Sequence, residues 1–346
     1  MSLNNFRKSL MEHNSDVFLI NSQPMLHYVS KFTGTEGHVL IFKDKLVGFF
    51  DTRYALQSKV ECSFDEVFLF EDKTIVLKEV AKYCDGLHVS FDANSTTLSQ
   101  DKLYKSLFNP ISYVETSTFR MIKSDQELNI IKEGMALADK ILQMTIPMIK
   151  AGMRENDVVG LLFQNMIAHD IKHFSFNTIV ASGVRSAFPH GVASSKVIEA
   201  NDIITIDFGI MYQGYCTDMT RTFFLGEANP KLVEIYNVVL EANELAIKAC
   251  RPHVSGEAID RVARDYIASK GYGQYFTHGT GHSLGLEIHE DPYVRPGAKT
   301  ILQPGMLVTI EPGVYIEGLG GVRIEDVVLI TDDGAEVLTK SPKHLK

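Results

Sequence analysis

Asp202-Ile203-Ile204-Thr205-Ile206-Asp207-Phe208-Gly209 leads into Met211-Tyr212-Gln213-Gly214-Tyr215 and then Cys216-Thr217-Asp218-Met219-Thr220-Arg221-Thr222. β-Branched and aromatic runs on both sides of a short Gly-containing segment predict a strand, a tight turn and a strand. A two-residue turn at Tyr212-Gln213 sets Asp207 directly opposite Asp218, with Cβ atoms roughly 4.5–5.5 Å apart. A turn at Gln213-Gly214 makes them diagonal neighbours on the same face. Like charges so placed in an apolar hairpin repel and lose hydration unless a cation lies between them. The competing reading, that one or both carboxylates face solvent, is the ordinary one for a single Asp in a strand.

The C-terminal end repeats the device. Met306-Leu307-Val308-Thr309-Ile310-Glu311 runs into Pro312-Gly313, and beyond Gly318–Gly321 the chain returns as Val322-Arg323-Ile324-Glu325-Asp326-Val327-Val328. A hairpin centred on Gly318 puts Glu311 opposite Glu325, each inside a β-branched run where an unpaired carboxylate is costly. Three histidines, His278, His282 and His289, fall within a Gly-rich stretch from His278-Gly279-Thr280-Gly281-His282 to His289, and His190 follows Phe188-Pro189 upstream. Isolated histidines such as His13 and His344 read as surface residues, but three in a glycine-rich loop that lets backbone approach a ligand do not. One imidazole with four carboxylates is an oxygen-rich donor set that suits Mn²⁺, Co²⁺ or Zn²⁺ better than a thiolate-seeking metal. Two such ions, roughly 3.5–4 Å apart, share a nucleophile and polarise a substrate oxygen.

Around these hairpins the chain reads as α+β. Ser124-Asp125-Gln126-Glu127 has capping-box spacing, and the helix it opens carries Leu128, Ile131, Met135, Ala138 and Leu142 on one stripe. Further helices are predicted over Val158–Ala168, from Lys231 to Ala249 and from Glu257 to Ser269. Helices alternating with hairpins imply an antiparallel sheet. The first third reads as a smaller α/β unit: a helix Asn5–His13, strands Val17–Ile20, His38–Phe42, Leu46–Phe50, Val67–Phe70 and His88–Phe91, and helices Asp51–Val60 and Lys73–Tyr83. The polar stretch Thr116-Ser117-Thr118 places a domain boundary near residue 120, dividing the chain into 1–120 and 121–346. No internal repeat is legible.

Composition bounds the function. The 346 residues carry 34 Lys and Arg against 43 Asp and Glu, a net charge of -9, which argues against a nucleic-acid polyanion as main partner. Cys62, Cys84, Cys216 and Cys250 make no C-x-x-C pair and no disulfide framework, which fits a reducing cytoplasm. No signal-peptide core and no run of 18 apolar residues is present, so neither secretion nor a membrane is expected.

These motifs, taken in order, resemble the "pita-bread" metallopeptidases of family M24, and within them Xaa-Pro aminopeptidase (aminopeptidase P) and Xaa-Pro dipeptidase (prolidase). The resemblance spans roughly residues 120 to 340. It extends more weakly to Tyr28-Val29-Ser30-Lys31-Phe32-Thr33-Gly34 and Asp51-Thr52-Arg53-Tyr54, which are similar to the creatinase-like N-terminal domain of aminopeptidase P. It implies a C-terminal catalytic domain with a curved antiparallel sheet and two divalent ions. Asp207 would then bind one ion, His282 and Glu311 the other, and Asp218 and Glu325 both. A hydroxide shared by the ions would attack, with Glu311 as general base, His190 and His289 bonding substrate and developing oxyanion, and His278 and Arg323 at the substrate site. The Gly-x-Arg-x-Glu-Asp form around Arg323 is similar to the proline-specific branch. Ala193 departs from the family pattern, in which many members carry Pro after His-Gly-x.

The implied activity is hydrolysis of the Xaa-Pro bond at the N-terminus of small peptides, whose imide lacks an N–H and whose ring fixes φ. The two N-terminal motifs put aminopeptidase first and dipeptidase second. A non-catalytic binding protein of the same fold is the remote alternative. The resemblance also implies a homodimer.

Overall fold

The strand Val17–Ile20 is buried along its whole length, as expected of a continuous apolar run at the centre of a sheet. It pairs antiparallel with His38–Phe42 and parallel with Val89–Asp92. The full six-stranded order is Glu66–Phe70, Leu46–Asp51, His38–Phe42, Val17–Ile20, Val89–Asp92, Ile111–Val114. Helices Val76–Tyr83 and Leu98–Leu107 pack through Val76, Val80 and Tyr104 on a cluster with Val17, Leu19, Leu40, Val47 and Phe91. The structure, a computed structural model, describes residues 2–343, so His344 and the last positions of the 121–346 region lie outside it. Its Cα positions fall into two compact units, Met1–Arg120 and Met121–Lys346.

Three helix expectations in this first unit shift, the first of them to Ser2–Glu12 from the expected Asn5–His13. Asp51 ends the strand Leu46–Asp51, and its carboxylate accepts from Arg53 N to cap a short 3₁₀ turn, Thr52–Tyr54, so the α-helix covers only Ala55–Glu61. Asp72 accepts from Thr74 N and Oγ1 at 2.8 and 2.7 Å, holding a turn ahead of the helix, which begins at Val76. In both places an Asp carboxylate accepts from the N–H two residues on and caps a turn, so the regular α-helix begins beyond it.

In the second unit the same arrangement occurs twice, although no repeat is visible in the sequence. Helices Asp125–Thr145 and Glu155–Ile167 pack through Ile131's stripe-mates Ala138 and Leu142, with Val158 and Leu162, on Ile204, Ile206 and Phe208. Those residues belong to the antiparallel sheet Met219–Phe224, Ile203–Phe208, Ile179–Ser182. Helices Pro230–Ala249 and Gly256–Ser269 pack likewise on the sheet Leu307–Ile310, Asp326–Ile330, Ala335–Val337. The Ser124–Glu127 capping box forms as predicted. The second helix starts three residues earlier than expected, at Glu155, where the Asp157 carboxylate accepts from Arg154 N at 2.7 Å and from the Arg154 guanidinium ahead of the first turn. Each acid-bearing hairpin thus sits on its own helix-backed sheet.

Candidate metal centre

The first hairpin adopts the second of its two predicted registers. Tyr215 pairs with Tyr212, and the turn residues Gln213 and Gly214 have φ of 48° and 85°, the left-handed pair a two-residue hairpin requires. Asp207 therefore faces Thr220, not Asp218; the direct Asp207–Asp218 pairing is corrected to a diagonal one. Between the two ladders Thr217 N still donates to Ile210 O at 3.0 Å, and Gly209 is packed so tightly that a Cβ would lie 1.8 Å from Thr217 O. At the other end, Gly313 pairs with Arg323 and Ile310 with Asp326. Glu311 and Glu325 lie opposite in that shared register, at the point where one ladder gives way to the next. His282 arrives on the strand Gly281–Ser283, and Gly281 lets it in: a Cβ there would lie 1.8 Å from Thr309 O.

All nine residues singled out from the sequence, His190, Asp207, Asp218, His278, His282, His289, Glu311, Arg323 and Glu325, line one cavity of about 480 Å³. His282 Nε2 lies 3.4 Å from Glu311 Oε1 and 3.7 Å from Asp218 Oδ2. Ligand atoms of Asp218, His282 and Glu325 all fall within 4.8 Å of one another. His282 Nδ1 donates to Ser283 O at 3.0 Å, because a carbonyl only accepts, so the Nε2 lone pair is left facing the carboxylates. Burial lowers the His282 pKa to about 4, which keeps that lone pair free.

The carboxylates are in the opposite condition. Burial, and then the charges of Glu325, Asp207 and Glu311, push Asp218 well above the ordinary carboxylate range. Burial, then Glu311 and Asp207, do the same to Glu325, and burial raises Glu311 to about 8. Asp207 Oδ1, Asp218 Oδ1 and Glu325 Oε1 are buried with no hydrogen-bond partner. Orphaned acceptors converging on an imidazole lone pair are the donor arrangement that divalent cations require. The donor set fits the group.

A second network borders the first. Arg323 donates from Nη2 to Asp207 Oδ2 at 2.6 Å, from Nη1 to Tyr315 Oη and Pro189 O at 2.9 Å, and from Nε to Thr220 Oγ1 at 3.2 Å. His278 Nδ1 donates to Gly279 O at 2.7 Å, leaving Nε2 to accept from Tyr315 Oη at 2.9 Å. The proton placement is consistent: burial holds His278 down to about 4 and Tyr315 up to about 12. His289 stacks edge-on against His282 with centroids 4.4 Å apart, its pKa lowered by burial and then by His190.

Tyr315, Thr220 and Thr309 were not singled out from the sequence. Thr220 Oγ1 donates to Glu325 Oε2 at 2.7 Å, while Thr309 Oγ1 accepts from His282 N at 3.0 Å and reaches Glu311 Oε1 at 3.4 Å. Each threonine stands two residues from a candidate ligand, on the same strand face, and that spacing was the available signal. Ala193 N donates to Thr178 O at 3.3 Å, a bond that proline at this position would forfeit.

Helix-backed antiparallel sheets here converge on buried carboxylates and an imidazole, the donor set of a divalent-cation centre. The model of metallopeptidase family M24 matches residues 129–332, and that of the creatinase/prolidase N-terminal domain matches residues 3–122. The chain belongs to family M24, with a creatinase-type N-terminal domain ahead of a pita-bread domain. It is 37% identical to an Xaa-Pro dipeptidase of Pyrococcus horikoshii over 97% of this chain and 96% of that one. Among solved structures, an Xaa-Pro dipeptidase from Bacillus anthracis superposes with a TM-score of 0.95 at 40% identity, covering 99% of this chain and 98% of that one. An X-Pro aminopeptidase from Thermotoga maritima superposes with a TM-score of 0.89 at 36% identity, covering 96% and 97%.

Proposed function

We propose that the protein hydrolyses the Xaa-Pro bond of dipeptides, using two divalent cations held by Asp207, Asp218, His282, Glu311 and Glu325. The observation that carries this reading is the gathering of these five donors, with orphaned oxygens, in one cavity. The resemblance to Xaa-Pro dipeptidases over nearly the whole chain supports the dipeptidase over the aminopeptidase that the N-terminal motifs put first. The aminopeptidase remains the second reading, favoured by the Thermotoga neighbour.

The cations, with Mn²⁺ first among the three that suit the donor set, would activate water and polarise the scissile carbonyl. The protein's own contribution follows from the geometry. His282 is oriented by its Nδ1–H bond to Ser283 O, and Glu325 by Thr220. With 18% of its side chain exposed, against 6% for Asp218, Glu311 is placed to pass a proton between the cavity and solvent. His190 and His289, on the cavity wall, serve as donors to substrate and oxyanion. Arg323 holds Asp207 and, through Tyr315, fixes which nitrogen of His278 accepts. Four free cysteines support a reducing cytoplasm as the working compartment. Among the described residues no helix is long and apolar enough to cross a membrane. A homodimer is carried as part of this proposal on family grounds.

Assaying Xaa-Pro dipeptides beside Xaa-Pro-Xaa tripeptides tests the reading. Cleavage of the dipeptides alone is expected. Efficient tripeptide cleavage restores the aminopeptidase, and inertness toward both removes the function.

A further inference from the structure

His190 is exposed and has no hydrogen-bond partner for its imidazole among the described residues. Its place on the cavity wall therefore rests on the backbone of its loop, which leaves the strand Ile179–Ser182 and returns at Ser194. One carboxylate holds both stems of that loop. Glu155, the first residue of the helix Glu155–Ile167, is fully buried. Its Oε1 accepts from Ser182 N at 2.9 Å and Ser182 Oγ at 3.0 Å. Its Oε2 accepts from Ser194 N at 3.1 Å, Ser194 Oγ at 2.6 Å and Arg185 Nη1. Arg185 in turn donates from Nη2 to Val192 O at 3.0 Å, two residues beyond His190. On the cavity side, Arg323 Nη1 holds Pro189 O at 2.9 Å.

An acid at a helix N-terminus has an ordinary explanation, attraction to the helix dipole. That explanation does not require burial, nor donors from two ends of one loop. Removing a carboxylate from water is costly unless several charge-assisted bonds replace hydration, and here the replacing donors all come from the segment that carries His190. We propose that Glu155 is a positioning residue for peptide hydrolysis: it touches no substrate, and by clamping residues 182–194 it sets where His190 meets the scissile bond. The proposal rests on the peptidase reading above.

The test is a double-mutant cycle on full-length Mn²⁺-loaded enzyme, with Glu155→Gln and His190→Ala made singly and together. Hydrogen exchange of the 183–194 amides and metal content are measured alongside. Displacing a reacting group by about 1 Å costs on the order of 100-fold, so Glu155→Gln is expected to lower kcat about 10- to 100-fold, with KM changed far less. The same substitution in the His190→Ala background is expected to change kcat less than about twofold, since the group it positions is gone. Exchange in 183–194 should rise about tenfold with metal content unchanged. An equal loss in both backgrounds, or unchanged loop exchange, overturns the proposal. Should Glu155→Gln fail to fold, Ser194→Ala removes one donor from the same clamp and is expected to lower kcat about threefold, only where His190 is present; equal effects in both backgrounds again overturn the proposal. If the wild-type protein cleaves no Xaa-Pro peptide, the functional reading fails, and the exchange measurement still decides whether Glu155 clamps the loop.

Discussion

Arg323 Nη2 lies 2.6 Å from Asp207 Oδ2, a buried ion pair joining the strand Gly320–Arg323 to the strand Ile203–Phe208. It ties the two-stranded ribbon Gly313–Ile316/Gly320–Arg323 to the first helix-backed sheet at the cavity, and among the described residues Arg323 is the cation paired with Asp207. Breaking a buried pair by removing one partner typically costs about 3–5 kcal/mol, because the remaining charge is stranded. Arg323→Met is expected to lower kcat at least about 100-fold and to reduce thermal stability by several degrees. A variant with native rate and melting temperature contradicts the role given to Arg323.

Asp218 offers a ligand atom within 4.8 Å of those of His282 and Glu325, and its Oδ1 has no hydrogen-bond partner. Asp218→Asn keeps the shape and removes the charge. Metal content, read by elemental analysis after gel filtration, is expected to fall from two ions per chain to one or none, with activity lost in parallel. Two retained ions and a native rate rule out a bridging carboxylate at this position.

Gly281 is held against Thr309 O with no room for a methyl group. Gly281→Ala is expected to push the His282 strand away from the strand Leu307–Ile310, weakening metal affinity about 10- to 100-fold, the range seen when a ligand's supporting structure is disturbed. Titrating Mn²⁺ against the chelated protein measures it, and unchanged affinity refutes the packing argument.

The pH dependence has a definite sign. In the cation-free site Glu311 is raised to about 8, and Asp218 and Glu325 lie well above the ordinary range. Carboxyl pKa values raised on folding stabilise the chelated protein at low pH, and that contribution is lost as pH rises from about 4.5 through about 8. Divalent ions compete with those protons, so binding releases them and tightens with pH. The gap in melting temperature between Mn²⁺-loaded and chelated protein is therefore expected to widen from pH 5 to pH 8. At 100 times Kd the loaded form gains about 2.7 kcal/mol. A gap independent of pH shows that the titrating carboxylates are not the ligands.

Much of the site was legible because its elements obey local rules. The Ser124–Glu127 box, the buried strand Val17–Ile20 and the Glu311–Glu325 register follow from caps, apolar runs and a glycine-centred turn, all of which act over a few residues. The sequence admits two registers for the first hairpin because Tyr212-Gln213 and Gln213-Gly214 can each form the turn. Left-handed φ at Gln213 and Gly214 decided for the second. Asp51 and Asp72 shortened two predicted helices, since side-chain capture of backbone donors depends on rotamers that periodicity does not encode.

By itself the order of residues determined which acids and imidazoles stand on or next to the strands that border one cavity. Donor type and strand alternation are properties of the chain alone. Only the tertiary structure decided which nitrogen of His282 faces the carboxylates, that Tyr315 stands between His278 and Arg323, and that Glu155 grips a loop some thirty residues further along the chain. Those relations depend on directional bonds between distant segments, and their geometry exists only once the sheets and helices have packed.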